Sequence, residues 1–348
     1  MVHLTGWVEL EGGVLTEHEI DEILMDRPDL VSCFGGEFYL EWADCVARDK
    51  YGIIQGAITH NTIVPQASCP PGSIVRERNI VGEVSPEPPE MELEAAIIEA
   101  VRLRCGEGVT ALSGGVDSAL VAALAGLPCI CVGVEGSHDP RRAREFAGGT
   151  GLSCEYAVIS RRDVEEGLVA ITRILPDANP LTYAIAITQW CITRWAGEHG
   201  YKRVLSGQGA DELFGGYARY HSSTDLTGDL SRDFESLLRG QLVRDQAVAA
   251  LHEVYFSFPY LDVRVVRAAA GIPAAEKVHD DVGKWPLRTV AERHIPQKTA
   301  WYGKKAMQYG SGVSRVLREL ARQNGYKRSV QGYINQISGQ EHGIRERS

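Results

Sequence analysis

Apolar residues recur at every second position in short runs through the first part of the chain, in GEFYLEW, CVARDKYG and GAITHNTIV, each bounded by turn-forming residues. A period of two is that of a half-buried strand, so residues 1–85 read as a small strand-rich unit. The stretch GEVSPEPPE, Gly82 to Glu90, ends it, because Pro86, Pro88 and Pro89 can continue neither a ladder nor a helix. The period then lengthens, and Leu93, Ala96, Ile97, Ala100 and Val101 form one helical stripe.

From there strands and helices take turns. GVTAL leads to a helix from about Ser118, and CICVGV is followed by Asp139 as an N-cap with Pro140 behind it. CEYAVI runs into Ser160 and Asp163 at capping-box spacing, Asn179 and Pro180 open a further helix, and YKRVLS is a fourth strand. Short apolar strands separated by helices predict a parallel sheet covered on both faces, since each return to a parallel neighbour needs a crossover. From about Ser231 the pattern is mainly helical, with Phe234, Leu237, Leu238, Leu242, Val248 and Leu251 on one long helix, and residues 336–348 read as a polar tail. The expected fold class is therefore α/β: a strand-rich N-terminal domain over 1–85, then 91–335 with a parallel sheet and a mainly helical C-terminal part.

Composition narrows the function. At 348 residues roughly 75% of the unfolded surface is buried on folding, enough for a large core. No apolar run approaches the roughly 20 residues that span a bilayer, and Met1 to Leu10 carries Glu9 without a basic start, so a membrane or secretory role is not expected and a cytoplasmic one is. The net charge of −10 gives no general attraction to nucleic acid. Cys33, Cys45, Cys69, Cys105, Cys129, Cys131, Cys154 and Cys191 include no C-x-x-C pair and read as reduced, mostly buried thiols.

The chemistry is carried by two loops. In ALSGGVDSALVAALAG, the LSGGVDS segment lies where an open parallel sheet binds ligands, at the carboxyl ends of its strands. Gly114 and Gly115 permit close backbone approach, the N–H groups opening the next helix can surround a phosphate, and Ser113 and Ser118 add hydroxyls. Asp117 would repel an anion alone, but suits Mg²⁺ shared between carboxylate and phosphates. The competing reading is a glycine-rich structural turn. A second loop, LSGQGADELFGGYARY, again runs from a strand into glycines and the acidic pair Asp211 and Glu212, so two edge loops could give two carboxylates to one magnesium.

These segments, in this order, resemble the synthetase domain of asparagine synthetase and β-lactam synthetase, in the ATP-pyrophosphatase superfamily with its adenine nucleotide α-hydrolase-like fold. LSGGVDS is similar to the pyrophosphate loop and VLSGQGADELFGGYARY to the second signature; FPYLD, KWPLR and IPQKTAWYGKKAMQYGSGV resemble later elements, so that the likeness covers about 91–315. The resemblance implies that a carboxylate attacks the α-phosphorus of ATP, pyrophosphate leaves, and an amine converts the acyl-adenylate to an amide and AMP. It implies pyrophosphate binding by Ser113, Gly114, Gly115, Asp117 and Ser118, magnesium binding by Asp117 and Asp211, and an adenosine lining of Leu112, Val134, Ser206 and Gly207. Lys304 stands at the late lysine that steadies the pentacovalent state, with Lys305 as its neighbour.

Three departures qualify the likeness. Gln208 stands where asparagine synthetases have a glutamate, and a carboxamide cannot be a general base, though it can orient a reactant. Tyr255 occupies the place of a second family glutamate, so either Glu253 or Tyr255 is the expected proton-handling partner. The N-terminal segments resemble pieces of the glutamine-hydrolysing domain, but Met1 is followed by Val2 and Cys33, Cys45 and Cys69 are internal, so a remnant without glutaminase activity is expected. The expected protein is an asparagine-synthetase-like ligase using ATP and Mg²⁺, with aspartate as default acceptor and ammonia that is free or supplied by a separate glutaminase subunit. A ligase for another acid and a non-catalytic nucleotide-binding regulator are the alternatives. A homodimer is compatible with the family.

Overall fold

The computed structural model describes residues 2–59, 62–65, 69–176, 178–279, 281–303 and 310–345. The N-terminal part is a six-stranded antiparallel sheet, built from β1 (His3–Leu10), β2 (Gly13–Leu15), β3 (Gly35–Trp42), β4 (Cys45–Arg48), β7 (Ser73–Arg76) and β8 (Asn79–Glu83) in the order β2-β1-β3-β4-β7-β8. A hairpin of β5 (Gly56–Thr59) and β6 (Thr62–Pro65) stands apart from it. Helix α1 (Glu17–Asp26), started by a Thr16 and Glu19 capping box, covers this sheet, and Val8, Ile20, Phe34, Phe38, Leu40 and Ala47 fill the space between.

The central sheet is parallel, with strands β9 (Val109–Ala111), β10 (Cys129–Gly133), β11 (Cys154–Val158), β12 (Arg203–Leu205) and β13 (Tyr255–Ser257) in the order β11-β10-β9-β12-β13. Side chains of β10 alternate between two cores. Ile130 and Val132 pack with Val109, Val204 and the helices α5 (Arg161–Thr172) and α6 (Pro180–Glu198). Cys129 and Cys131 pack on the other face with α2 (Leu93–Arg102), α3 (Val116–Ala125) and α4 (His138–Thr150). With helices on both faces and a mainly helical C-terminal part, this is the adenine nucleotide α-hydrolase-like arrangement. Among the described residues no helix is long and apolar enough to cross a membrane, and all eight cysteines are free. Strand order reverses at β9, so the loops after β9 and β12 leave neighbouring strands on opposite sides of a topological switch point, the usual ligand crevice of such sheets.

Several elements differ from the expectation. α4 is capped by Ser137, and Asp139 lies buried inside its first turn; Pro140 is still accommodated because first-turn N–H groups need no helical partner. The expected long helix is α8 (Leu226–Ser236) and α9 (Leu242–Ala250) joined by a π-helical turn, Leu237–Gln241. The segment read as a polar tail carries most of the last turns of a helix, Val330–Arg345. Strand β13 was not foreseen, because three residues show no period.

A buried ionic chain joins the N-terminal sheet to the segment after β13. Glu37, wholly buried in β3, accepts from Arg104 Nε at 3.0 Å, Trp7 Nε1 at 3.1 Å, the Phe258 N–H at 2.8 Å and the Ser257 hydroxyl. Arg104 reaches on to Asp262 at 2.8 Å, and Arg264 ties Asp262 to Glu9 in β1.

Candidate active site at the sheet edge

The first loop turns sharply out of β9. Gly114 has φ +76°, and a Cβ there would fall 2.6 Å from the Arg142 carbonyl carbon and 2.7 Å from the Ala143 nitrogen, so only glycine lets the loop pass α4. Gly115 then caps α3, and Ser118 in its first turn accepts from the Ser113 N–H at 3.1 Å and faces the Ser113 hydroxyl at 3.0 Å. Asp117 is buried in the same turn, its carbonyl accepting from the Tyr260 hydroxyl at 3.0 Å.

The second loop lies directly against the first. Ser206 donates to the Ser257 carbonyl at 2.9 Å, which fixes the exit from β12. A Cβ on Gly207 would be 2.8 Å from the Asp117 carbonyl carbon and from the Ser118 nitrogen, so the two loops meet with no room for a side chain. Gly209, at φ +93°, starts the short helix α7 (Ala210–Phe214) with Asp211 and Glu212 in its first turn.

Asp117 and Asp211 both meet the ammonium of Lys284. It lies 2.8 Å from both oxygens of Asp117 and 2.6 Å from Asp211 Oδ1, and the lysine is almost completely buried. Lys284 precedes a further helix, Trp285–Ala291, with a left-handed φ of +61°, and its N–H donates to the Phe214 carbonyl at 3.0 Å. One turn later Arg288 binds the carbonyls of Gly283, Ala300 and Tyr302 at 2.9, 2.6 and 3.1 Å, holding the segment that enters residues 304–309.

This donor set fits a magnesium ion in one respect that the structure shows: two carboxylates already point at one cationic position. Mg²⁺ is commonly held by one or two carboxylates with substrate phosphates and water making up the rest. Among the described residues no group of three His, Cys, Asp or Glu side chains is placed to hold a metal ion.

Beside the pair, Glu212 is buried and accepts from the Tyr217 hydroxyl; burial, reinforced by the charge of Asp211, pushes its carboxyl up to about 7. Gln208 donates to Gln241 Oε1 at 3.1 Å, and Gln241 ends the π-helical turn, a feature frequent at functional sites.

Leu112 and Val134 lie at the ends of β9 and β10, where the Leu112 N–H meets Ile130 and the Val134 N–H donates to the Ser311 carbonyl at 2.8 Å. Ser311 also shares a hydrogen bond with Thr188 at 3.0 Å, and Tyr302 meets His138 Nε2 at 3.0 Å. Both flanks of 304–309 are thus anchored near the start of α4, while Lys304 and Lys305 lie outside the described residues. Ser113, Gly114, Gly115, Asp117, Ser118, Leu112, Val134, Ser206, Gly207, Gln208 and Asp211 are all at the carboxyl edge of the sheet. Glu253 and Tyr255 are not. Tyr255 pairs with Arg203 at the opposite, amino-terminal end of the strands, its hydroxyl accepting from Arg203 at 2.6 Å, and Glu253 is exposed beside Lys202. The parallel direction of β13 carries its first residues away from the loops, so Glu253 and Tyr255 lie apart from the other expected site residues.

Sequence reasoning passed over Lys284, Tyr260 and Gln241. Lys284 and Tyr260 left a signal, the KWPLR and FPYLD resemblances, and Gln241 left none.

The asparagine synthase family matches this chain over residues 92–232 and 221–337. A Methanocaldococcus jannaschii protein provisionally described as a glutamine-hydrolyzing asparagine synthetase 1 is 30% identical over 307 residues, 75% of this chain and 57% of that protein. A probable glutamine-hydrolyzing asparagine synthetase of Dictyostelium discoideum is 26% identical over 294 residues, 73% of this chain and 50% of that one. The chain spans about half the length of these curated relatives. Among solved structures, the NMN synthetase from Francisella tularensis aligns with 74% of this chain and 97% of its own, at 16% identity and a TM-score of 0.37.

Proposed function

Because the chain belongs to the asparagine synthase family, we propose that it is an ATP-dependent, AMP-forming amide ligase. A carboxylate oxygen of the acceptor attacks the α-phosphorus, the bond to the bridging oxygen of the β-phosphate breaks, and pyrophosphate leaves with the electron pair. Ammonia then attacks the acyl carbon, AMP leaves, and one proton is lost from nitrogen.

The observation that carries this reading is the meeting of the two glycine loops, with Asp117 and Asp211 on one cationic point. In the proposed complex the N–H groups of Gly114 and Gly115 and the hydroxyls of Ser113 and Ser118 hold the pyrophosphate portion, a preorganised set of donors where negative charge develops. Leu112, Val134, Ser206 and Gly207 line the adenosine. Asp117 and Asp211 would hold Mg²⁺, which when bound offsets phosphate charge. Lys304 is assigned to the same pyrophosphate charge.

Aspartate is the proposed acceptor, with ammonia free in solution or delivered by a separate glutaminase subunit. The N-terminal sheet is read as a remnant of a glutamine-hydrolysing domain without that activity: Cys45 and Cys69 are buried, and burial raises the Cys69 thiol, which disfavours the thiolate such chemistry uses.

One observation favours a second reading, a nucleotide-binding regulator. Gln208 and Gln241 form a neutral carboxamide pair where a titrating group would aid proton loss. Incubating the chain with ATP, magnesium, an ammonium salt and a panel of acids separates the two. The ligase reading expects AMP and pyrophosphate in equal amounts, dependent on one acid; ADP and phosphate alone would reject it, and nucleotide binding without any product would favour the regulator.

A further inference from the structure

The cation between the two edge loops belongs to the protein itself. The Lys284 ammonium has three carboxylate contacts of 2.6 to 2.8 Å from Asp117 and Asp211. Magnesium bonds to carboxylate oxygens at about 2.0–2.1 Å, so a metal shared by these two carboxylates needs the point that the ammonium fills. Two cations cannot occupy it together.

The surrounding chain is built to deliver the lysine. Lys284 adopts φ +61°, a left-handed conformation that disfavours any residue with a side chain. Its stem passes over Gly216, where a Cβ would lie 2.1 Å from Lys284 Cε and 2.0 Å from Asp211 Oδ1. A strained backbone and a glycine spared for the stem are both explained by the need to seat the ammonium on the pair.

We propose that Lys284 is a resident cation that closes the carboxylate pair to free divalent metal, so that metal enters only together with the phosphates of a nucleotide. The charges give the reason. A divalent ion added alone at this point displaces a buried ammonium from its counter-ions, a costly state. Phosphate oxygens arriving with the metal supply new acceptors for the ammonium, and the lysine passes from carboxylate to phosphate. The identity of the arriving anion rests on the proposed nucleotide chemistry; the exclusion of metal in its absence does not.

The test is Mn²⁺ binding to the full chain without nucleotide, read from the electron paramagnetic resonance signal of free Mn²⁺. Lys284→Met, which keeps length and removes charge, should bind Mn²⁺ at least tenfold more tightly than the wild type, and Asp211→Asn added to it should abolish the gain. Adding a non-hydrolysable ATP analogue should tighten Mn²⁺ binding in the wild type more than in the variant. If Lys284→Met melts as an unfolded chain, Lys284→Gln carries the same expectation. Equal or weaker Mn²⁺ affinity in either folded variant overturns the proposal. A tenfold gain with no AMP formed from any acid would uphold the resident cation while sinking the ligase reading, and AMP formation with no gain would do the reverse.

Discussion

Removing the Glu37 carboxylate should unfold more than the sheet that carries it. Its two oxygens serve four donors: Oε1 accepts from Arg104 Nε and the Phe258 N–H, and Oε2 from Trp7 Nε1 and the Ser257 hydroxyl. In Glu37→Ala the Arg104 guanidinium, buried to 1% exposure, keeps only Asp262 as a charged partner. Breaking a buried pair from one side costs about 3–5 kcal/mol, and because Asp262 remains we take the lower end, about 3 kcal/mol. The orphaned Trp7 and Phe258 donors add roughly 1 kcal/mol or more, for a total near 4 kcal/mol. At an m-value of about 3 kcal/mol/M this lowers the urea midpoint by about 1.3 M. Glu37→Gln is the sharper variant. Its carboxamide oxygen can take the Oε1 place, and the Ser257 hydroxyl can rotate to accept from the new NH₂, leaving only Trp7 Nε1 facing a donor. Its loss should be about half that of alanine. Since the Ser257 carbonyl holds the Ser206 N–H at 2.9 Å, alanine should also slow AMP formation. The assay is urea unfolding followed by tryptophan fluorescence, and a midpoint shift below about 0.3 M for Glu37→Ala would refute the network as a clamp between sheet and site.

Gly114→Ala should cut nucleotide affinity at least tenfold by calorimetry, because the added Cβ meets Arg142 and Ala143 backbone atoms at 2.6 and 2.7 Å; wild-type affinity would place the nucleotide elsewhere. Asp117→Ala should abolish pyrophosphate release and also destabilise the fold by roughly 3 kcal/mol, since Lys284 is then left buried with Asp211 alone; unchanged turnover would remove Asp117 from the site. Glu212, raised from 4.5 to about 7, binds its proton more tightly folded than unfolded. Its protonation therefore stabilises the fold fully below about pH 4.5, and that contribution of roughly 3 kcal/mol at most is lost as pH rises through about 7. Glu212→Gln should flatten this part of the pH dependence of thermal unfolding, and an unaltered slope would contradict it. Gln208→Glu replaces the neutral partner of Gln241 with a titrating one; if asparagine formation appears only in this variant, the natural acceptor is an acid other than aspartate.

What the sequence displayed was the chemistry that demands special residue types at fixed local spacing. Gly114, Gly115, Gly207 and Gly209 are required by loops that touch one another, Asp117 and Asp211 sit in the first turns of the helices that follow, and the switch point after β9 comes from the order of strands. Partnerships across long sequence separations left no such mark. Lys284 reaches Asp117 over 167 positions, and Arg104 reaches Asp262 over 158; nothing near either basic residue announces its partner. Glu253 and Tyr255 show the converse. Their residue types suited proton transfer and their place in a motif invited it, but a three-residue parallel strand fixes which end of the sheet they occupy.

The contrast between Gln208 and Lys284 shows where function is decided in this chain. Gln208 changes the chemistry of a loop whose backbone, set by Gly207 and Gly209, is held in place whatever side chain stands between them. Lys284 instead sets the charge that Asp117 and Asp211 present, because a buried carboxylate beside a half-buried one is costly to keep without a cation. Position 208 can therefore vary with the acceptor at little cost to folding. Position 284 loses stability with its charge until another cation replaces it, and that ties stability to the occupancy of the site: variants at 284 should regain melting temperature on adding Mn²⁺, whereas variants at 208 should melt alike with and without it.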